Sequence, residues 1–397
     1  MAGLNDIREV NRLRLLEELR RAGVADRSEL ARQTGLSRAT VATLVADFVA
    51  RGAIVEESER NGAPGRPSNR LRLDPSAATV LGVDFGHRHV RVALADLSAT
   101  VIAERRIDLD VDAGSKTALD TTAELAATLM AEAGVGGDRV LGAGMGIPAP
   151  IDRRSGRMPS ASILANWEPI RPAEELAHRL GLPVRVANDA DLGALGESTY
   201  GAGRGFSDLL YVKLSAGFGA GMILRGALHT GATGIAGEIG HLGVDPLGVI
   251  CRCGNRGCLE TVASGYGLRH VLAPTHGPGL TTARLLALAD AGDTTVLAAL
   301  QRAGTMVGAV LGALCTALNP AAIMIGGDLG AGSAPLRDAI RAELRRTALP
   351  PTGDVVLHAA TLGDRAEVLG AITLALDETE WLRSADLVAV ARQWTRA

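Results

Sequence analysis

The feature that most constrains this chain is the stretch G-E-I-G-H-L-G-V-D-P-L-G-V-I-C-R-C-G-N-R-G-C-L-E at residues 237–260. It sets one histidine and three cysteines in the pattern H-x9-C-x-C-x4-C, through His241, Cys251, Cys253 and Cys258. Four such donors suit one tetrahedral zinc ion per chain, and a set that fills all four positions is structural rather than hydrolytic. Gly254 and Gly257 let the backbone turn tightly around an ion. The remaining cysteine, Cys315, lies in the apolar run V-G-A-V-L-G-A-L-C-T-A-L and reads as a small core residue. Three of the four cysteines in 397 residues crowd into eight positions, which points to metal and not to a secreted disulfide scaffold.

The first 73 residues read as a separate unit. Ile7, Val10, Leu13, Leu15, Leu16 and Leu19 fall near a 3.6-residue period, so residues 5–22 form an amphipathic helix that stops at Gly23. Asp26 or Ser28 caps a second helix over 29–33, Thr34-Gly35-Leu36 turns, and Ser37 caps a third helix to about Arg51. Alternating strands at 53–57 and 70–73 flank a polar hairpin tip. Three helices followed by a two-stranded hairpin make a winged helix-turn-helix (α+β) over residues 1–73, with operator DNA as its partner. The motif puts its second helix into the major groove, N-terminal side chains first. Those are Ser37, Arg38, Thr40 and Thr43, and Arg38 can hold a guanine edge bidentately. Arg66, between Gly65 and Pro67 at the wing tip, suits a narrow minor groove. Residues 1–72 carry 13 Arg against 10 Asp and Glu, while the whole chain is at −3, so a mildly basic unit sits on an acidic body.

From residue 79 to 397 the text is α/β. Strands are expected at 80–84, 90–96, 101–108, 140–147, 184–187, 209–214, 220–224, 322–325 and 355–358. Helices are expected at 116–133, 189–199, 281–291, 294–318 and near 334–346, with one more from Ala366. The units L-G-V-D-F-G-H-R-H-V-R-V-A-L and Y-V-K-L-S-A-G-F-G-A-G-M-I-L look like an internal duplication. Two related lobes follow, roughly 79–187 with the C-terminal helix and 188–375, with a cleft between them. No apolar run reaches the ~18–20 residues of a membrane span, and the first residues are charged throughout, so no membrane partner and a cytoplasmic protein are expected.

The segment with E-x-x-H followed by C-x-C-G-x-x-G-C-x-E resembles the signature of the ROK family of repressors, open reading frames and sugar kinases. Strand and glycine landmarks carry the resemblance over about 79–375, and repressors of that family also have an N-terminal winged helix-turn-helix. The resemblance implies a two-lobed hexokinase/actin-like fold with a sugar in the cleft beside the zinc loop. It makes Asn188, Asp189, Glu238, His241 and Glu260 the sugar contacts, with Asp189 the catalytic base if the protein is a kinase. His241 could then hold zinc through one ring nitrogen and meet sugar through the other. Asn188 can also cap the helix that starts beside it. The family's substrate loop reads P-N-L-x-x-W. Here Ile163 stands at the asparagine, with Asn166 as a substitute in S-I-L-A-N-W.

Two loops separate a sensor from an enzyme. ROK kinases resemble D-x-G-G-T-K at the first phosphate loop, where small residues let backbone amides approach phosphate. This chain has Asp84-Phe85-Gly86-His87-Arg88-His89. The second loop, G-T-G-x-G-x-G in kinases, is Ser215-Ala216-Gly217-Phe218-Gly219-Ala220-Gly221, without the threonine hydroxyl. Gly326-Gly327 resembles the adenosine-side motif only weakly. The reading is a sugar-responsive regulator, a repressor acting as a homodimer or dimer of dimers, with zinc and without ATP. The alternative is an ATP-dependent sugar kinase with an accessory DNA-binding domain. The effector is a sugar or a sugar phosphate, and it either releases or tightens DNA.

Overall fold

A computed structural model describes residues 4–59, 68–159, 163–164 and 166–377. The N-terminal unit comprises α1 (Leu4–Ala22), α2 (Arg27–Thr34), α3 (Arg38–Ala50), β1 (Ile54–Glu59) and β2 (Ser68–Leu73). Asp26, not Ser28, caps α2, in a capping box with Glu29. Gly35 closes α2 in the left-handed region at φ 70° and Ser37 caps α3, which sets the turn of the motif. β1 and β2 pair antiparallel from Ile54–Leu73 to Glu59–Ser68, and Ala25 exchanges two backbone bonds with Leu71. Arg66 lies outside the described residues. Along α1, Leu15, Leu16 and Leu19 are buried and Leu13 is partly so, but Val10 is 56% exposed. Val10 therefore does not join the inner face that the periodicity assigned to it.

The body contains β3 (Thr79–Gly86), β4 (His89–Asp96), β5 (Val101–Asp108), α4 (Ser115–Glu132), β6 (Val140–Ile147), α5 (Pro172–Leu180), β7 (Val184–Asn188) and α6 (Asp189–Tyr200). Then come β8 (Leu209–Leu214), β9 (Phe218–Leu224), β10 (Ala227–Leu228), α7 (Glu260–Ala263), α8 (Gly265–His276), α9 (Thr282–Asp290) and α10 (Thr294–Leu318). The chain continues through β11 (Ala322–Gly326), α11 (Gly327–Gly332), α12 (Ala334–Thr347), β12 (Val356–Ala359) and α13 (Ala366–Asp377). The sheets run β5-β4-β3-β6-β7 and β10-β9-β8-β11-β12. In each, the first long strand pairs antiparallel with its hairpin partner and parallel with the next crossover strand. The duplication expected from the two strand–turn–strand units is thus a repeat of topology.

The expected elements include neither α5 nor α8, nor the shorter β10, α7 and α11. α5 carries Pro at its start, Glu174 and Glu175 in its first turn and a left-handed Gly181 at its end. α8 contains Gly265, Gly267 and Pro274, which hide its pattern. α10 is long and apolar enough to cross a membrane by length and composition, with mean hydropathy 1.4 over its best window. Val296, Leu300, Val307, Leu311 and Cys315 on it are fully buried in the second lobe's core.

α13 crosses between the units. A Cβ at Gly370 would fall 1.8 Å from the Leu192 carbonyl oxygen on α6, so the two helices touch backbone to backbone and only glycine fits. α13 also contributes Val368, Leu369, Ile372, Ala375 and Leu376 to one apolar cluster. The same cluster holds Leu15, Leu16, Leu19, Phe48 and Leu71 of the N-terminal unit. Arg20 of α1 adds a bond from Nε to the Leu97 carbonyl at 3.1 Å and an ion pair with Asp377 at 3.4 Å. The N-terminal unit and the first lobe therefore share a core.

Within that unit, Arg12 is buried, pairs with Asp47 and lies 5.9 Å from the Phe48 ring. Burial works against the Asp47 charge, but Arg12 and Arg51 outweigh it and hold the carboxyl below its ordinary range. The pair's contribution is present above the unfolded carboxyl pKa of about 4 and is lost as pH falls through the lower folded value. Asp47→Ala leaves Arg12 without that counter-charge and is expected to cost about 3 kcal/mol. Hydrogen exchange of the α1–α3 amides in the full chain checks it. Unchanged protection would refute the role.

Candidate functional site

The sugar-contact candidates converge on a cleft of about 460 Å³ between the lobes. Asn188 ends β7, and its side-chain oxygen accepts from the Ala190 amide, capping α6. Its amide nitrogen also donates to Glu238 at 3.4 Å, so capping and cleft placement coexist. Asp189, the first residue of α6, lines the cleft with Glu238, His241 and Glu260. Burial, then Asp189 and Glu260, push the Glu238 carboxyl up to about 7. Two positions on, Asp191 is buried with one carboxyl oxygen unbonded, and burial followed by Glu238 and Asp189 raises it well above its ordinary value.

The metal candidates also converge. One ligand atom from each of His241, Cys251, Cys253 and Cys258 lies within 4.8 Å of the others. His241 Nδ1 is 3.6 Å from Cys251 Sγ, and Cys253 Sγ is 3.6 Å from Cys258 Sγ. A tetrahedral zinc with bonds of about 2.3 Å to sulfur needs ligand separations of about 3.7 Å, so the set fits that ion. Burial and the neighbouring thiols push Cys258 up to about 12, a state that a bound cation would reverse. Gly254 and Gly257 sit at φ 93° and 64°, as the turn requires. The other ring nitrogen of His241 lies 3.8 Å from Glu238 on the cleft side.

Two basic residues that sequence reasoning passed over complete the site. Lys213 on β8 donates to Asp189 Oδ2 at 2.9 Å and Glu367 Oε1 at 2.8 Å. Burial opposes its charge, but Asp189, Glu367 and Asp84 outweigh burial and hold the ammonium well above its usual range. Arg252, between Cys251 and Cys253, grips Glu260 at 2.9 and 3.1 Å. Glu260 Oε2 also accepts from the Phe218 amide at 3.3 Å. Glu260 is therefore a paired carboxylate on the cleft wall. The signal for both was an opposite charge on a distant element, which a linear motif does not display.

The first loop is filled by side chains. His89 Nε2 lies 3.0 Å from Asp84 Oδ2, His87 pairs with Asp112 at 2.8 Å, and Arg88 pairs with Asp110 at 2.7 Å. In the second loop Ser215 Oγ donates to Asp328 at 2.7 Å. Asn166 is exposed, faces the Asp112 carbonyl at 3.5 Å and does not line the cleft. Its neighbour Trp167 is buried and bonds the Val111 carbonyl at 3.0 Å. At the opposite end, Ser37 and Arg38 are exposed at the start of α3. Thr40 bonds Ser37, and Thr43 bonds the Ala39 carbonyl at 3.0 Å.

A family model described as the ROK family matches residues 80–378, and one for winged helix-turn-helix DNA binding matches residues 8–55. The chain is 26% identical over 386 residues to a xylose repressor of Caldicellulosiruptor bescii, covering 94% of this chain and 96% of that one. It is 31% identical over 309 residues to a glucokinase of Halalkalibacterium halodurans, covering 73% and 92%. Among solved structures, a ROK family transcriptional regulator homologous to the Escherichia coli Mlc protein superposes with TM-score 0.78 at 25% identity. That match covers 98% of this chain and 99% of the other.

The cluster predicts one zinc per chain in protein purified without added metal, measured by mass spectrometry. Cys253→Ser is expected to lose the metal and lower Tm. A metal-free wild type, or a variant with full metal and unchanged Tm, would contradict the assignment.

Proposed function

Because the chain belongs to the ROK family, we propose that it is a sugar-responsive DNA-binding transcriptional repressor of the cytoplasm, acting as a homodimer or dimer of dimers. Residues 1–73 would bind operator DNA and 79–397 would sense the sugar. The observation that carries this reading is the continuity of the apolar core from α1 through α13, whose first turn brings Glu367 into the cleft. A ligand there can bias the DNA-binding unit through packed structure. Zinc, held by His241, Cys251, Cys253 and Cys258, would supply a structural clamp on the loop that carries the cleft's wall. Asn188, Asp189, Glu238, His241 and Glu260 would bond sugar hydroxyls, and Ser37, Arg38, Thr40 and Thr43 would meet DNA, with Arg66 at the wing tip.

The kinase alternative draws on the glucokinase relative, which covers 73% of this chain. Lys213 argues against it. A phosphoryl-transfer base must accept the sugar hydroxyl proton, and here Asp189 already holds an ammonium at 2.9 Å. Bulky His87 and Arg88 in the first loop argue the same way.

Arg38→Ala is expected to weaken operator binding by about 1–3 kcal/mol and relax preference at one base pair. Asp189→Ala is expected to abolish the sugar response with operator binding retained. Binding titrations with and without sugar check both. A normal response in Asp189→Ala, or operator binding without residues 1–72, would overturn the reading, as would turnover of hexose with ATP in a coupled assay.

A further inference from the structure

Arg252 is the least exposed of the three arginines that line the cleft, and it keeps unspent hydrogen-bonding capacity. A guanidinium carries five N–H donors. Nε and Nη2 each donate one to Glu260, and Nη1 donates one across the cleft to the Ile163 carbonyl at 3.4 Å. Two N–H groups have no partner among the described residues, on a side chain that lines the cleft. The pair is built in. A Cβ at Gly217 would stand 3.3 Å from Arg252 Nη2 and 3.4 Å from Glu260 Oε2, so this loop is cut back where the two meet. Cys251 and Cys253, two of the four candidate ligands of one metal ion, flank it on both sides. Facing it, the Ile163 side chain offers no hydrogen bond of its own.

Charge narrows what those donors can meet. Seven carboxylates line the cleft against four Lys and Arg side chains. All four cations are already paired. Lys213 holds Asp189 and Glu367, Arg252 holds Glu260, and Arg88 and Arg106 hold Asp110 and Asp108 at 2.7 Å each. A phosphate or carboxylate entering the cleft would meet excess negative charge and no deep unpaired cation. A neutral hydroxyl oxygen can accept from Arg252 and donate to the free lone pair of Glu260 without breaking the ion pair.

We propose that Arg252, clamped by Glu260, is the specificity-determining residue of this pocket and that the effector is an uncharged sugar read through one ring hydroxyl. This rests on the sugar-sensing reading above and decides between a free sugar and its phosphate ester.

The test uses the full zinc-loaded chain in calorimetric titrations with D-glucose, D-xylose, glucose 6-phosphate and the monodeoxy analogues of whichever free sugar binds. A free sugar is expected to bind at least tenfold more tightly than its phosphate ester. One deoxy analogue is expected to lose tenfold or more against wild type, and that particular penalty is expected to vanish in Arg252→Ala. Zinc content and operator affinity in the variant monitor the loop and the fold. A merely structural arginine would weaken all analogues alike. Tighter binding of the phosphate ester, or an equal deoxy penalty in variant and wild type, overturns the proposal. Binding of no sugar in either form overturns instead the sensing reading beneath it.

Discussion

Four side-chain atoms that could hold a metal ion lie within 4.8 Å of one another in and beside a loop that has almost no regular structure of its own. Residues 242–259 form only isolated bridges, Gly243 with Cys258 and Ile250 with Arg256. At Gly257 a Cβ would fall 1.6 Å from the Asp245 carbonyl oxygen, so the fold of this loop tolerates no side chain there. Such a segment buries too little apolar surface to define its own conformation; Leu247 is 92% exposed and Ile250 60%. Yet it sets Arg252 and His241 at the cleft and leads directly into Glu260. A clamp on the sulfurs and the imidazole is the economical way to fix three polar side chains at once.

The other half of the architecture is the path out of the cleft. Lys213 joins β8 to the first residue of α6 and to the first turn of α13. α6 and α13 cross with backbones in contact, and Glu197 of α6 accepts from the Thr361 and Leu362 amides at 2.8 Å each, just before α13. The far end of α13 meets Arg20 of the DNA-binding unit. On the proposed reading, a sugar that bonded Asp189 would alter the balance at Lys213, and the packed helices would transmit a rigid displacement rather than absorb it. The ligand can shift DNA affinity only by its differential affinity for the two arrangements.

Much of this was legible in the sequence. The four clustered candidate metal ligands, the caps at Asp26 and Ser37, the strands 140–147 and 209–214 and the long helix 294–318 follow local rules of spacing, capping and periodicity. Asn188, Asp189, Glu238 and Glu260 were recognisable because a motif names them. Arg252 and Lys213 were not, because their meaning lies in partners 8 and 24 or more residues away that only the fold brings close. Val10 shows the limit of periodicity, which finds a helix face but not how far along the helix its neighbour extends.

The central claim is that sugar in the cleft and operator on α3 bias one equilibrium. Linkage makes such coupling reciprocal, with ~1–3 kcal/mol a usual size. The direct measurement is sugar affinity, by calorimetry on the full chain, with and without a saturating operator duplex. The account predicts that the duplex changes sugar affinity by about 5–150-fold, the same factor by which sugar changes operator affinity. Equal sugar affinities in the two titrations, for a sugar that fails to bind Asp189→Ala, would contradict it.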